Sequence, residues 1–276
     1  MKRLPGRGPA GPLSLCLLLA APTSVCPAPP AGVTGAITVI GTGPERRVIE
    51  RLARAFEKAY LGTAIEIRWN RNFHAAQMLQ AGEADVAVSA QEYPGLTATQ
   101  IAWDGIAVIV NFTNPVTEVT SQQVAQLFSG RIANWSALHE RGAGNVELIR
   151  RPADQHLNEG FERALGINGQ IPKAATVIRS DQRVLRRVSG RIGAVSYLSL
   201  RAALDATEYG TPIKILLIDG VEAGHPTVRN GQYPLRRPVF LLLGKQPIPV
   251  AEAFVRFAVS REGQRILQES FTPLSP

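Results

Sequence analysis

Cysteine is nearly missing from this 276-residue chain: there are two, Cys16 and Cys26. Both lie close to the amino terminus, so an internal disulfide framework is excluded. Long apolar runs are missing too. The stretch Leu13 to Ala21 is about half of the roughly 20 residues that a membrane-spanning helix requires. Histidines number four and aromatics make up 6%. No H-x-H, H-x-x-E-H or carboxylate cluster announces a metal site. The P-loop and G-x-S-x-G patterns are absent and the G-x-G-x-x-G spacing Gly6–Gly11 lies in the amino-terminal leader, not after a strand, which leaves nucleotide hydrolysis, dinucleotide binding and elbow-type nucleophilic catalysis without support. A set of Ser89, His156 and Asp104 can be assembled on paper, but no spacing singles out a nucleophile. The chain reads as a non-enzyme with no cofactor and no metal.

What is present begins with an address. Lys2, Arg3 and Arg7 form a positive start, Leu13 to Ala21 an apolar middle, and Pro22 to Pro30 a stretch of breakers and small residues. That order is a secretory signal, expected to cover residues 1–31 and to be cut near Cys26 or Ala28. The expected location is the periplasm or another exported compartment. Anchoring through a lipid on Cys26 is the less favoured alternative, because Thr23-Ser24-Val25 departs from the usual lipoprotein pattern. The mature chain, residues 32–276, is large enough for two lobes. Hydrophobic residues are 45% and charged residues 19% of the whole, as in a packed globule. Of the formal net charge of +8, three charges leave with the signal. The remaining arginines are scattered and not interleaved with aromatics, which argues against nucleic acid and for attraction of a small anion.

Short β-branched runs alternate with helical periodicity. Ala36 to Ile40 ends in Gly41-Thr42-Gly43-Pro44, after which Val48, Leu52, Ala55, Phe56 and Ala59 recur at helical spacing. Strands follow at Ile65–Trp69 and Val86–Ser89, with a helix through 77–80 between them. A second unit has helices at 121–128, 158–165 and 182–188 and strands at Val146–Arg150 and Ile192–Tyr197. Further strands are expected at Ile213–Ile218 and Pro238–Leu243, and one amphipathic helix at Pro249–Leu267. Strands separated by helices predict an α/β fold with a mostly parallel sheet flanked by helices.

Four stretches carry a family resemblance. They are Trp103-Asp104-Gly105-Ile106 leading into the apolar run Ala107–Asn111, Phe128-Ser129-Gly130-Arg131-Ile132-Ala133-Asn134-Trp135, Tyr233-Pro234-Leu235-Arg236-Arg237-Pro238, and Ser260-Arg261-Glu262-Gly263-Gln264. Together they resemble the phosphate-binding periplasmic proteins of ABC importers over nearly the whole mature chain. The resemblance implies a type II periplasmic-binding-protein fold with a ligand cleft between two lobes. Lobe I is expected at about 36–106 and 206–276, and lobe II at about 107–205. It also implies a small-anion ligand with phosphate foremost, an ABC permease in the inner membrane as partner, and a monomer.

The same resemblance nominates site residues. Thr42 and Gly43 stand in the first loop, but Pro44 replaces the expected threonine and brings neither hydroxyl nor N–H. Arg71 and Asn72 stand in the second loop, with Asn72 at the usual serine position. Ser89 closes the third strand and is followed by Ala90, where an aspartate or arginine is usual. Arg151 keeps the family arginine, while Gln155, His156 and Leu157 replace Ser-Gly-Thr. The ligand set is therefore Thr42, Gly43, Arg71, Asn72, Ser89, Arg151, Gln155 and His156. Each has a plainer reading. Arg151 can pair with a carboxylate such as Asp154 or Glu159, and Thr42 and Asn72 can cap helices. His74 and His156 can be loop histidines instead of metal ligands, and Asp85 and Asp104 can be loop or cap acceptors. Trp69, Trp103 and Trp135 read as packing, and Phe73 as the aromatic that enters the cleft. Because all three loops depart from the family pattern, two alternatives stand beside a phosphate binder: the same fold with a carboxylate or neutral ligand, and an envelope interaction protein that has lost ligand capture.

Overall fold

The computed structural model describes residues 33–70, 73–142, 144–153 and 156–274. The signal region and the calls on Arg71, Asn72 and Gln155 lie outside the described residues. The first elements in chain order are β1 (Gly35–Gly41), α1 (Arg46–Ala59), β2 (Thr63–Trp69), α2 (Ala75–Gln80), β3 (Val86–Ser89) and β4 (Thr97–Asn111). Next come β5 (Glu118–Val119), α3 (Ser121–Phe128), β6 (Glu147–Arg150), α4 (His156–Leu165), β7 (Thr176–Val177), α5 (Asp181–Ser189) and β8 (Ala194–Ser199). The chain finishes with α6 (Leu200–Glu208), β9 (Ile213–Ile215), β10 (Leu217–Ile218), α7 (His225–Asn230), β11 (Arg236–Leu243), α8 (Pro249–Val259), α9 (Arg261–Leu267) and β12 (Thr272–Pro273).

One sheet runs through the molecule in the order β2-β1-β3-β11-β4-β8-β6-β7. It is mixed. β1 pairs in parallel with β2 and β3, and β6 with β7 and β8. The middle is antiparallel: β11 lies between β3 and β4, and β4 pairs with β8. The 15-residue β4 belongs to both halves: Thr97 to Gly105 pair with β11, and Ile106 to Val110 with β8.

The β-branched runs fold as they do because both sheet faces are covered. Ile37 and Val39 point into one core with Leu52, Phe56, Phe254 and Phe257, whereas Ile40 joins Leu79, Ala87 and Leu242 on the opposite face. In the second half, Ile106, Val108 and Val110 face Phe128, Phe161 and Tyr197, and Ala107 and Ile109 face Val184 and Ala203. Strands buried on two faces lose the polar alternation of a half-exposed sheet and read as continuous apolar runs.

Several expectations change in detail. The strand expected over Ile213–Ile218 is two: β9 pairs with β4 and β10 pairs with β5. The single helix expected over Pro249–Leu267 breaks at Ser260, whose backbone is extended and whose hydroxyl accepts from Gly263 N at 3.2 Å to start α9. The return crossing also moves. Residues 206–276 were assigned to lobe I, yet Ile213, Leu216, Ile218, Val228, Tyr233 and Leu235 all pack in the cores of the second half. The chain comes back at β11, where Pro234-Leu235 leads into the strand.

Candidate functional site

Two helices begin at the junction of the halves. Gly41, Thr42 and Gly43 lead to Glu45, the N-cap of the 14-residue α1, and His156 is the first residue of the 10-residue α4. Thr42 Oγ1 and His156 Nε2 meet at 2.9 Å across the junction. They border a cavity of about 230 Å³ lined also by Phe73, His74, Gln77, Val88, Ser89 and Tyr93. Larger hollows of about 660, 620 and 610 Å³ lie elsewhere, beside β9 and β10, against α9 and beneath α2 respectively. The smaller cavity is the candidate site, because residues from both halves and the starts of two long helices converge there.

Beneath it lies a buried charge cluster. Arg237, on β11, is 1% exposed; its Nη2 stands 2.7 Å from Glu45 Oε1 and 2.8 Å from Asp104 Oδ2. Arg237 Nε also donates to Asp104 Oδ2 at 3.1 Å, and Ser199 Oγ donates to Asp104 Oδ1 at 2.6 Å. The guanidinium stem lies flat on α4, where Gly160 leaves it room: a Cβ at that position would stand 2.7 Å from Arg237 Cδ. Asp104 was read as a loop or cap acceptor; it is an interior β4 residue, buried because β11 brings an arginine to it. Burial pushes the Glu45 carboxyl up, but the Arg237 guanidinium and then His156 outweigh it and hold it at about 2. Burial dominates at Asp104 and raises its pKa, with Arg237 and Ser199 opposing. Burial disfavours the charged form of Arg237, and its two carboxylates more than reverse that. His156 Nδ1 faces Glu45 Oε1 at 3.6 Å, an electrostatic contact too long for a hydrogen bond.

The expected site residues therefore separate. Thr42, Ser89 and His156 share the cavity, and Phe73 lines it as expected. The Ser89 hydroxyl also donates to Gln91 O at 2.7 Å and accepts from Gln91 N at 3.1 Å, closing the turn after β3. Gly43 sits behind the lining: its carbonyl accepts from Trp69 Nε1 at 2.8 Å, and a Cβ there would fall 2.0 Å from Glu45 Oε2. Arg151 is outside the lining. It is 4% exposed and pairs with Asp181 Oδ1 at 2.7 Å and with the Arg179 carbonyl. Its backbone N–H donates to Tyr197 Oη at 3.1 Å. Burial lowers its pKa, and Asp181 opposes the shift. The described carboxylate partner of Arg151 comes from α5; of the two named from the sequence, Glu159 pairs with Arg163 at 2.6 Å and Asp154 lies outside the described residues. Arg163 in turn donates to Ala90 O at 3.1 Å and to Gln91 Oε1 at 2.7 Å, a second bridge between the halves. Asp85 is the backbone acceptor it was read to be, taking Thr38 N–H at 2.7 Å. Among the described residues, no group of three or more His, Cys, Asp or Glu side chains is placed to hold a metal ion.

Glu45 and Arg237 were not nominated. Glu45 looks like an ordinary first-turn acid in the sequence, and Arg237 is one of two adjacent arginines. The other, Arg236, stacks on Trp103 with its guanidinium 3.9 Å from the ring centre. Alternation along β11 was the available signal, since it turns only one of the pair inward.

A sheet shared by two half-molecules, crossed by one long strand, with a cavity at the helix starts of the junction, defines a two-lobed binding-protein fold. The model of the PBP superfamily domain matches residues 27–262, and the chain belongs to that family. It is 30% identical over 146 residues to the phosphate-binding protein PstS 2 of Streptococcus pneumoniae serotype 4, covering 50% of this chain and 48% of that protein. The chain thus matches about half the length of that relative. Over 252 residues it is 21% identical to the phosphate-binding protein PstS of Bacillus subtilis, covering 88% of this chain and 82% of that one. Among solved structures, an ABC-type phosphate transport receptor from Vibrio cholerae superposes with a TM-score of 0.76 at 21% identity, covering 87% of this chain and 100% of that one.

Proposed function

We propose that this is an exported solute-binding protein that captures phosphate or a related small oxyanion in the junction cavity and presents it to an ABC permease. The observation that carries the reading is the convergence of α1 and α4 on one small cavity with Thr42 and His156 at their starts. Helix N-termini present unpaired N–H groups and the positive end of the peptide dipole to whatever lies before them. The names of the relatives support the choice of phosphate. Thr42, Ser89 and His156 are the proposed contacts, with Arg71, Asn72 and Gln155 as further candidates from the family resemblance. Arg151 is proposed to brace the second lobe through Asp181 instead of touching ligand.

A second reading is favoured by a specific observation. Among the described residues, the cavity lining contains no Arg or Lys, and the buried Glu45 carboxylate lies 3.6 Å from His156. Because the described part of the lining carries so little fixed positive charge, the same fold with a carboxylate or neutral organic solute is the alternative.

Thermal unfolding of residues 32–276, stripped of ligand, against phosphate, arsenate, sulfate, molybdate and small carboxylates tests both. A ligand at a hundred times its Kd adds about 2.7 kcal/mol, which in a protein of this size raises Tm by about 5 to 10 °C. A rise with phosphate supports the first reading, and a rise only with a carboxylate or neutral solute the second. No rise with any compound overturns both in favour of an envelope interaction protein.

A further inference from the structure

His156 has two different neighbours, and together they determine which of its nitrogens carries hydrogen. Nδ1 faces the Glu45 carboxylate at 3.6 Å, and Nε2 lies 2.9 Å from Thr42 Oγ1 on the cavity wall. A lone pair on Nδ1 would be aimed at a buried negative charge, so Nδ1 carries the hydrogen. In a neutral ring Nε2 is then an acceptor, and Thr42, whose hydroxyl both donates and accepts, is its donor. An oxyanion brings only lone pairs to such a nitrogen and is repelled by it. With a proton on Nε2 the geometry reverses: the ring donates on both sides, to Glu45 and into the cavity.

The cluster behind the ring points the same way. Among the described residues, Glu45 and Asp104 are buried with Arg237 between them, so two carboxyl groups share one cation. Glu45 Oε2 and His156 Nδ1, both buried, make no hydrogen bond among the described residues. On its own helix, Glu159 is taken by Arg163 and Glu162 by Asn158. Across the cavity stand His74 and the Tyr93 phenol, and Gln91 Nε2 donates to that phenol at 2.9 Å. Protonated His156 supplies a second.

We propose that His156 serves as a cation of the cavity and that an oxyanion enters it together with one proton, which rests on His156 Nε2, while Glu45 positions the ring from behind. This deepens the anion-binding reading above and rests on it. The step makes one N–H bond and breaks none in the protein. The proton comes from solvent or from dihydrogen phosphate, which then stays in the cavity as hydrogen phosphate; sulfate can be accompanied only by a proton from solvent.

Nitrogen-15 NMR of histidine-labelled residues 32–276 at about pH 8, above the ordinary histidine pKa of about 6.5, titrated with inorganic phosphate and with sulfate, tests this. The expected result is a neutral, Nδ1-protonated His156 ring that becomes doubly protonated as phosphate saturates the protein. Phosphate affinity should fall about tenfold per pH unit above that point. His156→Gln should lose the slope, and Glu45→Gln should shift it to lower pH while binding persists below it. Circular dichroism establishes that each variant is folded. If phosphate binds while the ring keeps a single proton, or if His156→Gln retains the slope, the proposal is overturned and the anion-binding reading stands. If neither phosphate nor sulfate binds at any pH, both fall together.

Discussion

Two buried arginines, one in each half, have been given opposite surroundings. Arg237 stands between two carboxylates that are themselves fully buried, and its charge is reinforced. Arg151 has the Asp181 carboxylate, whose side chain is 44% exposed, and burial weakens its charge. The lesson concerns what each fixes in place. Arg237 joins the first loop, the crossing strand β4 and the flank of α4, so its ion pairs act on the junction itself. Among the described residues, Arg151 joins β6 to the start of α5. The arginine nominated from the sequence is thus tied to its own half, and the unnominated one sits beneath the cavity.

Breaking the comparison should give graded effects. Arg237→Met leaves Glu45 and Asp104 as buried carboxylates without a cation, and unfolding in urea should show a loss of about 3 to 5 kcal/mol. Arg151→Ala should cost less, about 2 kcal/mol, because its partner can turn to water. It should leave anion affinity within a few-fold of wild type by calorimetry; complete loss of capture in a folded variant would return Arg151 to the site. Asp181→Asn should cost under about 1 kcal/mol, as expected for a half-exposed partner.

The comparison also has a pH signature. Glu45 titrates at 4.5 when unperturbed and at about 2 in the fold, so its contribution is fully present above about pH 4.5 and is lost as pH falls through about 2. Asp104 is shifted the other way and offsets part of this. Urea midpoints measured across that window should fall with pH in the native sequence and fall less in Glu45→Gln.

Most of the architecture was legible because burial on two faces writes itself as uninterrupted Val, Ile and Leu runs, as in Val86–Ser89 and Ala107–Asn111. Boundaries failed where a single backbone event intervened. Ser260 halts one helix and caps the next, and Leu216 separates two strands that pair with different partners. The return crossing was misjudged because residues 213–235 carry the same apolar pattern whichever half receives them; only pairing with β4 and β5 decides. In the site, the nominations drawn from the family resemblance include Thr42, Ser89 and His156, which line the junction cavity with Phe73. They missed Glu45 and Arg237 because that pair exists only after β1 and β11, some 190 residues apart, are joined through β3.

The position of β11 between β3 and β4 has a consequence for the order of assembly. A chain made from its amino terminus has β1, β2, β3 and β4 available early, yet β3 and β4 are not neighbours and cannot complete the first half by pairing with each other. The slot between them stays open until residues 236–243 arrive, so Asp104 waits for Arg237, 133 positions later in the chain. Contacts of that sequence separation make folding slow and leave strand edges exposed meanwhile. The native sheet is thus withheld from any truncated or partly emerged chain, and the cavity at its junction is among the last features to exist.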